Sequence, residues 1–283
     1  AIHDYASVFS EVESTQFAAV AFTHPGAFTY LAFRGTDKYL ASWKENFNMA
    51  YAAPVPAQEA ALRYVEEMAQ RVEGPLVLGG HSKGGNLAAY AAAKASPATA
   101  ARIVAAYDHD GPGFPDDLLD EGERAQLSRL LRKTVPQESL VGLLMDAGGA
   151  FRIVRSTGRG LDQHSPFTWE VDLEGGEPRL VEADALAPAA AFTADVLNEW
   201  IAGMGKGERR RAVGALFAAI EASGAEDAFD VLMGGPKALG LLVEAARNTS
   251  PEAREVIIDQ MKSLAAIAAG KVGTAAGALF SRS

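Results

Sequence analysis

The chain has 283 residues and a formal net charge of −10 at pH 7, and this acidic balance argues against broad nucleic-acid binding. Hydrophobic residues make up 48% and charged residues 22% of the chain, a globular composition that argues against general disorder. Cysteine is absent, which excludes disulfides, thiolate zinc sites and a cysteine nucleophile.

Short apolar runs alternate with helical patterns over residues 1–185. A His-Pro-Gly turn at 24–26 joins two β-like runs into a predicted hairpin. The pattern then predicts strands at 76–78, 102–107, 134–135 and 151–155, helices at 57–72, 86–95 and 116–131, and a second hairpin within 167–181. Strands that alternate with helices indicate an α/β protein with a mainly parallel sheet flanked by helices.

The pattern of apolar residues changes near residue 186, after which only helical patterns occur. We therefore predict a core over 1–185 and an all-helical extension over 186–283 that either packs on the core or forms a lid. Apolar residues at helical spacing, from Phe192 to Ile201, favour packing on the core. The most apolar stretch, 264–280, is interrupted by Lys271, so no membrane-spanning helix is expected. The helices are predicted near 188–203, 206–223, 236–247 and 251–268.

The most informative segment is Gly80-His81-Ser82-Lys83-Gly84, a G-x-S-x-G motif between an apolar strand and a helical pattern. That setting is typical of a nucleophile elbow, in which the serine occupies a strained turn. A Cβ at either flanking glycine is expected to clash with the neighbouring strand or helix. Ser82 is therefore the predicted nucleophile, and an incidental serine in a glycine-rich loop is the alternative.

A nucleophilic serine needs a base and an acid. In α/β-hydrolases the chain order is serine, acid, histidine, and His164 is the histidine that fits this order comfortably. The acid is predicted to be Asp110, which follows the strand at 102–107. Asp108 and Glu138 remain alternatives, because each also follows a predicted strand.

A tetrahedral intermediate needs hydrogen-bond donors aimed at its oxyanion. The backbone amide of Lys83, directly after the nucleophile, is expected to supply one. The second N–H donor is expected from the turn after the second β-like run, at Thr36 or its neighbour. The plainer interpretation of that turn is an ordinary charged connection.

Taken together, these motifs resemble those of class 3 (fungal-type) lipases and, more closely, a bacterial family of lipase-like proteins of unknown function. The resemblance implies an α/β-hydrolase fold with Ser82 as nucleophile, His164 as base and Thr36 in the oxyanion loop. It favours Asp110 as the acid, because Asp-Gly-Pro-Gly-Phe is typical of the bacterial family whereas the position of Glu138 is not reliably acidic there. The chain departs from class 3 lipases at Lys133, which stands where those lipases carry their acid. The motifs are Gln16-Phe, Phe33-Arg-Gly-Thr-Asp37, Trp43-Lys-Glu-Asn46, Gly80-His-Ser-Lys-Gly-Gly-Asn-Leu-Ala88, Asp110-Gly-Pro-Gly-Phe114, Val135-Pro136 with Ser139, and Gln163-His164 with Trp169.

These features predict a serine hydrolase that cleaves a carboxylic ester or thioester, of a small molecule or a lipid, through an acyl-enzyme on Ser82. The alternative is a catalytically silent interaction protein on the same scaffold. We expect no cofactor and no metal, and short to medium acyl groups. We also expect a cytoplasmic location and a chain start that has been trimmed, since residue 1 is Ala. The oligomeric state is left open.

Overall fold

A computed structural model describes residues 2–10, 15–36, 40–146, 149–223 and 249–280. Its centre is a seven-stranded sheet whose strands follow one another in chain order. The first three strands are antiparallel, and the third to the seventh are parallel. The strands are β1 (Ile2–Ser10), β2 (Thr15–His24), β3 (Phe28–Phe33), β4 (Leu76–His81), β5 (Ile103–His109), β6 (Leu131–Pro136) and β7 (Phe151–Val154). A separate two-stranded hairpin joins β8 (Val171–Asp172) to β9 (Arg179–Leu180).

Helices flank this sheet, and the chain is a mixed α/β protein. The helices are α1 (Leu40–Asn48), α2 (Pro56–Arg71), α3 (Lys83–Lys94), α4 (Pro97–Ala100), α5 (Glu121–Leu130), α6 (Pro188–Gly203), α7 (Lys206–Ser223) and α8 (Pro251–Phe280). Helix α3 is alanine-rich and buried along nearly its whole length, with α2 and α5 packed on either side of it. Small side chains let α3 approach the sheet closely, and the main hydrophobic core lies between them.

Several boundaries differ from those that the sequence predicts. Strand β1 and helix α1 were not predicted at all. Helix α3 begins at Lys83 rather than Asn86, because glycines at the start of a helix hide its periodicity. Helix α5 begins at Glu121 rather than Asp116, since Asp120 caps it through a hydrogen bond from the Glu123 amide. The helix predicted near 236–247 lies outside the described residues.

The helices after residue 186 pack against the first part of the chain. Phe217 of α7 is buried against Phe47 of α1, with ring centroids 5.6 Å apart. Asn198 of α6 accepts a hydrogen bond from the Met145 amide and donates one to the Leu143 carbonyl. Among the described helices, none combines the length and the apolar character needed to cross a bilayer.

Candidate active site

Ser82 lies at a sharp turn between β4 and α3. Its backbone has φ 58° and ψ −129°, a conformation that non-glycine residues rarely adopt and that concentrates at functional sites. The two motif glycines make the turn possible. A Cβ on Gly80 would lie 2.6 Å from the Phe33 carbonyl oxygen, and one on Gly84 would overlap the same oxygen. Ser82 therefore lies at a point where the backbones of β3, β4 and α3 are in close contact.

His164 and Asp110 form a direct hydrogen bond although they are 54 residues apart. The Nδ1–H of His164 donates to Asp110 Oδ2 at 2.7 Å, since a carboxylate can only accept. The other carboxylate oxygen accepts from the Ser139 hydroxyl at 2.5 Å. Asp110 is fully buried and also has a positive φ of 55°. Both of its oxygens are therefore held by side chains, and its carboxylate has one fixed orientation.

The 3₁₀ turn that carries His164 (Gly160–His164) is braced from three sides. Gln163 accepts a hydrogen bond from the Glu138 amide, and its carbonyl accepts one from the Trp169 indole. His81 donates from Nε2 to the His164 carbonyl oxygen at 2.6 Å, and the two imidazole rings lie 4.6 Å apart. These contacts fix the backbone of the histidine.

His81 remains uncharged at neutral pH. Burial lowers its pKa to about 4, and the neighbouring His164 adds to that shift. Burial also lowers the pKa of His109, whose ring packs near Trp169. Of the histidines in this cluster, His164 is the one that hydrogen-bonds a carboxylate.

The two alternative acids lie elsewhere. Asp108 pairs with Lys133 at 3.3 Å and accepts from the Gly111 amide, so it stabilises the turn after β5. Burial raises the pKa of Asp108 to about 6, and Lys133 opposes that rise. Glu138 accepts from the Gly160 amide at the base of the His164 turn. Across the described residues, no group of three or more His, Cys, Asp or Glu side chains is arranged to hold a metal ion.

A buried ion pair lies beside the nucleophile. The Lys83 ammonium donates to Glu45 Oε2 at 2.9 Å and to the Gln16 carbonyl at 2.6 Å, and both charged side chains are almost fully buried. Glu45 also accepts from the amides of Gln16 and Ala57. Both buried charged groups therefore have the ion-pair and hydrogen-bond partners that burial of a charge requires. It ties the start of α3 to α1 and β2.

The next residue of α1 reaches Thr36. Asn46 donates from Nδ2 to Thr36 Oγ1 at 2.6 Å, so the Thr36 hydroxyl accepts there and keeps its own hydrogen for another acceptor. The amide of Lys83 is the first of α3, where the helix dipole favours negative charge. Adjacent residues of α1 thus hydrogen-bond to the side chains of both residues that the sequence predicts for the oxyanion.

An apolar cavity of about 450 Å³ opens beside Ser82. Ser82, Lys83 and Asn46 are among the residues that line it. The other walls are mostly apolar, and Trp200 is their largest side chain. They come from Phe47, Met49, Ala50, Pro112, the segment 140–145 and the helices of the extension. The helical extension therefore contributes directly to the space next to the serine.

The motifs predict site roles for Ser82, His164, Asp110, Lys83 and Thr36 but give none to Glu45 or Ser139. Both belong to the quoted motifs, as part of Trp43-Lys-Glu-Asn46 and of the segment after Val135-Pro136. Polar and apolar residues alternate without a clear pattern through α1, Leu-Ala-Ser-Trp-Lys-Glu-Asn-Phe-Asn, so the sequence gives no local signal that Glu45 is buried.

The fold and the site define an α/β protein with a serine at a strand–turn–helix elbow and a histidine–aspartate pair supplied by later loops. In comparison with known families, residues 1–218 match the Mbeg1-like family, and the chain belongs to it. This is a lipase-like family. The match continues through α6 and into α7. No curated protein matches the chain in sequence.

Proposed function

We propose that the protein is a serine hydrolase that cleaves a carboxylic ester or thioester through an acyl-enzyme on Ser82. The observation that carries the proposal is the 2.7 Å hydrogen bond between His164 and the buried carboxylate of Asp110. A carboxylate that holds Nδ1–H presents the other nitrogen as the base. Membership of a lipase-like family supports a hydrolase reaction, as does the resemblance of the motifs to those of class 3 lipases.

In the proposed reaction, Ser82 Oγ attacks the substrate carbonyl carbon while His164 Nε2 takes its proton. The carbonyl oxygen becomes an oxyanion, stabilised by the Lys83 amide and the Thr36 hydroxyl. His164 then returns the proton to the departing alcohol or thiol, and the acyl group stays on Ser82. Water, activated by the same histidine, releases the acid. Asp110 stabilises the imidazolium in both halves of the reaction.

Rigidity supports this assignment of roles. The oxyanion donors must be in place before charge develops, because reorganising them in the transition state would cost rate. The Lys83–Glu45 pair and the Asn46–Thr36 hydrogen bond fix the two donors from one helix. The bracing of the His164 turn does the same for the base.

A fluorophosphonate probe tests the proposal without knowledge of the substrate. We expect the wild-type protein to be labelled and Ser82→Ala to be unlabelled. Ser128→Ala is the matched control, because this exposed serine only donates to the Ala125 carbonyl; it should label as wild type does. A folded wild-type protein that resists the probe would instead favour the catalytically silent scaffold.

A further inference from the structure

The cavity beside Ser82 has a regular construction. Helices α7 and α8 each line it with residues at positions n, n+3, n+4 and n+7, starting at Arg209 and Ile257, and α6 lines it with Leu197, Trp200 and Ile201, followed by Met204 directly after the helix ends. That spacing places four side chains on one face of a helix over about two turns, a length of roughly 10 Å. Three helical faces therefore converge on one space, which Ser82 also lines.

These faces do not fill the space between them. Met261 of α8 lines the cavity and still has 41% of its surface exposed, and most of its lining neighbours on α6 and α8 are only half-buried. Apolar side chains that converge without closing on one another leave apolar surface in contact with water. An apolar ligand would remove that surface from water, which is the main source of affinity in such pockets.

The polar side chains of these helical faces are directed to protein partners. The Trp200 indole donates to Gln260 Oε1 at 3.0 Å, and the Gln260 amide donates to Glu208. The Arg209 guanidinium donates to the carbonyls of Ile201 and Ala50. The helical walls thus suit a hydrocarbon chain rather than a charged or sugar group.

We propose that this cavity holds the acyl chain of the substrate, and that Met261 and Leu264 of α8 limit its length. This inference rests on the proposed function, since it takes the chain to be the acyl group carried by Ser82. The cavity volume of about 450 Å³ lies in the lower part of the roughly 300–1,000 Å³ that ligand pockets span, and each lining helical face is roughly 10 Å long. We infer a medium-length chain of about 8–12 carbons.

The proposed limit is set by a part of the chain beyond the family match. The matched residues end at 218, whereas the cavity face of α8 begins at Ile257. The elbow and the histidine–aspartate pair lie inside the match. Chain-length preference would therefore be a property of this protein's own C-terminal helix rather than of the lipase-like core.

Esters of p-nitrophenol with acyl chains from 2 to 16 carbons test this inference. Each buried methylene can raise kcat/KM by at most about fourfold until the cavity is full. We expect the wild-type optimum at 8–12 carbons and a decanoate-to-acetate ratio of kcat/KM of at least about 50-fold. Met261→Trp and Leu264→Trp, which fill the cavity, should each lower that ratio at least tenfold.

Ile258→Trp is the matched control, because Ile258 lies on the same helix, is 43% exposed and is not part of the cavity wall. It should leave the ratio within about twofold of wild type. A wild-type preference for acetate, an unchanged ratio in both cavity variants, or an equal fall in Ile258→Trp would overturn the inference.

A binding measurement separates this inference from the proposed function. In Ser82→Ala, 11-bromoundecanol should quench tryptophan fluorescence to saturation, and the quenching should disappear on adding Trp200→Phe. Quenching without any ester turnover or probe labelling would refute the proposed function and leave a hydrocarbon-chain site standing. Turnover with no quenching would refute the cavity inference alone, and absence of both would refute the two together.

Discussion

Replacing Asp110 by Asn tests the proposed acid by removing one charge and almost no volume. The position should tolerate the change, because Asn is among the residues best suited to a positive φ. The Ser139 hydroxyl can donate to an amide or accept from one, so the buried group stays hydrogen-bonded. We therefore expect the fold to survive.

The expected loss is the attraction between the carboxylate and the imidazolium of His164. At 2.7 Å and an effective dielectric constant of about 20, two unit charges attract by roughly 6 kcal/mol. Since about 1.4 kcal/mol corresponds to a tenfold change in rate, Asp110→Asn should react about 10⁴-fold more slowly. Loss of the triad acid in a serine protease costs about the same.

The rate constant for labelling of Ser82 by a fluorophosphonate, together with kcat/KM on an ester, measures this loss. Glu138→Gln is the control and should stay within about tenfold of wild type, because its amide oxygen can still accept from the Gly160 amide. Asp108→Asn is a poorer control, since it would break the buried pair with Lys133. Near-normal rates in Asp110→Asn, with a large loss in Glu138→Gln, would show that the acid is misassigned.

Two further predictions concern stability. Glu45→Gln leaves the buried Lys83 ammonium without its counter-charge and should lower the free energy of unfolding by about 3–5 kcal/mol, measured by urea titration. The control is Asp259→Asn, which breaks an exposed pair with Lys262 and should lower that free energy by less than about 1 kcal/mol. The pKa of His81 is about 4 in the folded protein against 6.5 in the unfolded chain. Its contribution to the free energy of unfolding is therefore fully present above pH 6.5 and is lost as the pH falls toward 4, by up to about 3 kcal/mol. The free energy of unfolding of His81→Gln should depend less steeply on pH over that window, and an equal slope in both proteins would contradict this.

Local pattern was sufficient for the elements that carry the elbow. The apolar run before Gly80 and the glycines around Ser82 predict a strand, a turn and a helix, and the structure has β4, the turn and α3 there. The positions of the glycines follow from backbone contact with Phe33, which is a local steric requirement once β3 and β4 are adjacent. Turn residues likewise predicted the β2–β3 hairpin.

The parts that the sequence did not predict depend on contacts between distant residues. Local pattern alone leaves Asp108 open as an alternative to Asp110, since the two are two residues apart and both buried. They differ in partner, since Lys133 of β6 reaches one and His164 of a later loop reaches the other. The cavity is a further example, because helical spacing from Phe192 to Ile201 indicates an apolar face but does not say whether that face packs tightly or borders an empty space.

The distribution of buried charge at the carboxyl ends of the strands also bears on which acid is free to act. Lys83 and Lys133 are both buried there, and each lies against a carboxylate of its own. Asp110 is instead held by the neutral hydroxyl of Ser139 and by His164. A carboxylate tied to a permanent cation would have little charge left to stabilise an imidazolium, because the cation would already have neutralised it. Because the two buried lysines pair with Glu45 and Asp108, the negative charge of Asp110 can stabilise the imidazolium of His164. The proposed reaction requires this of its acid.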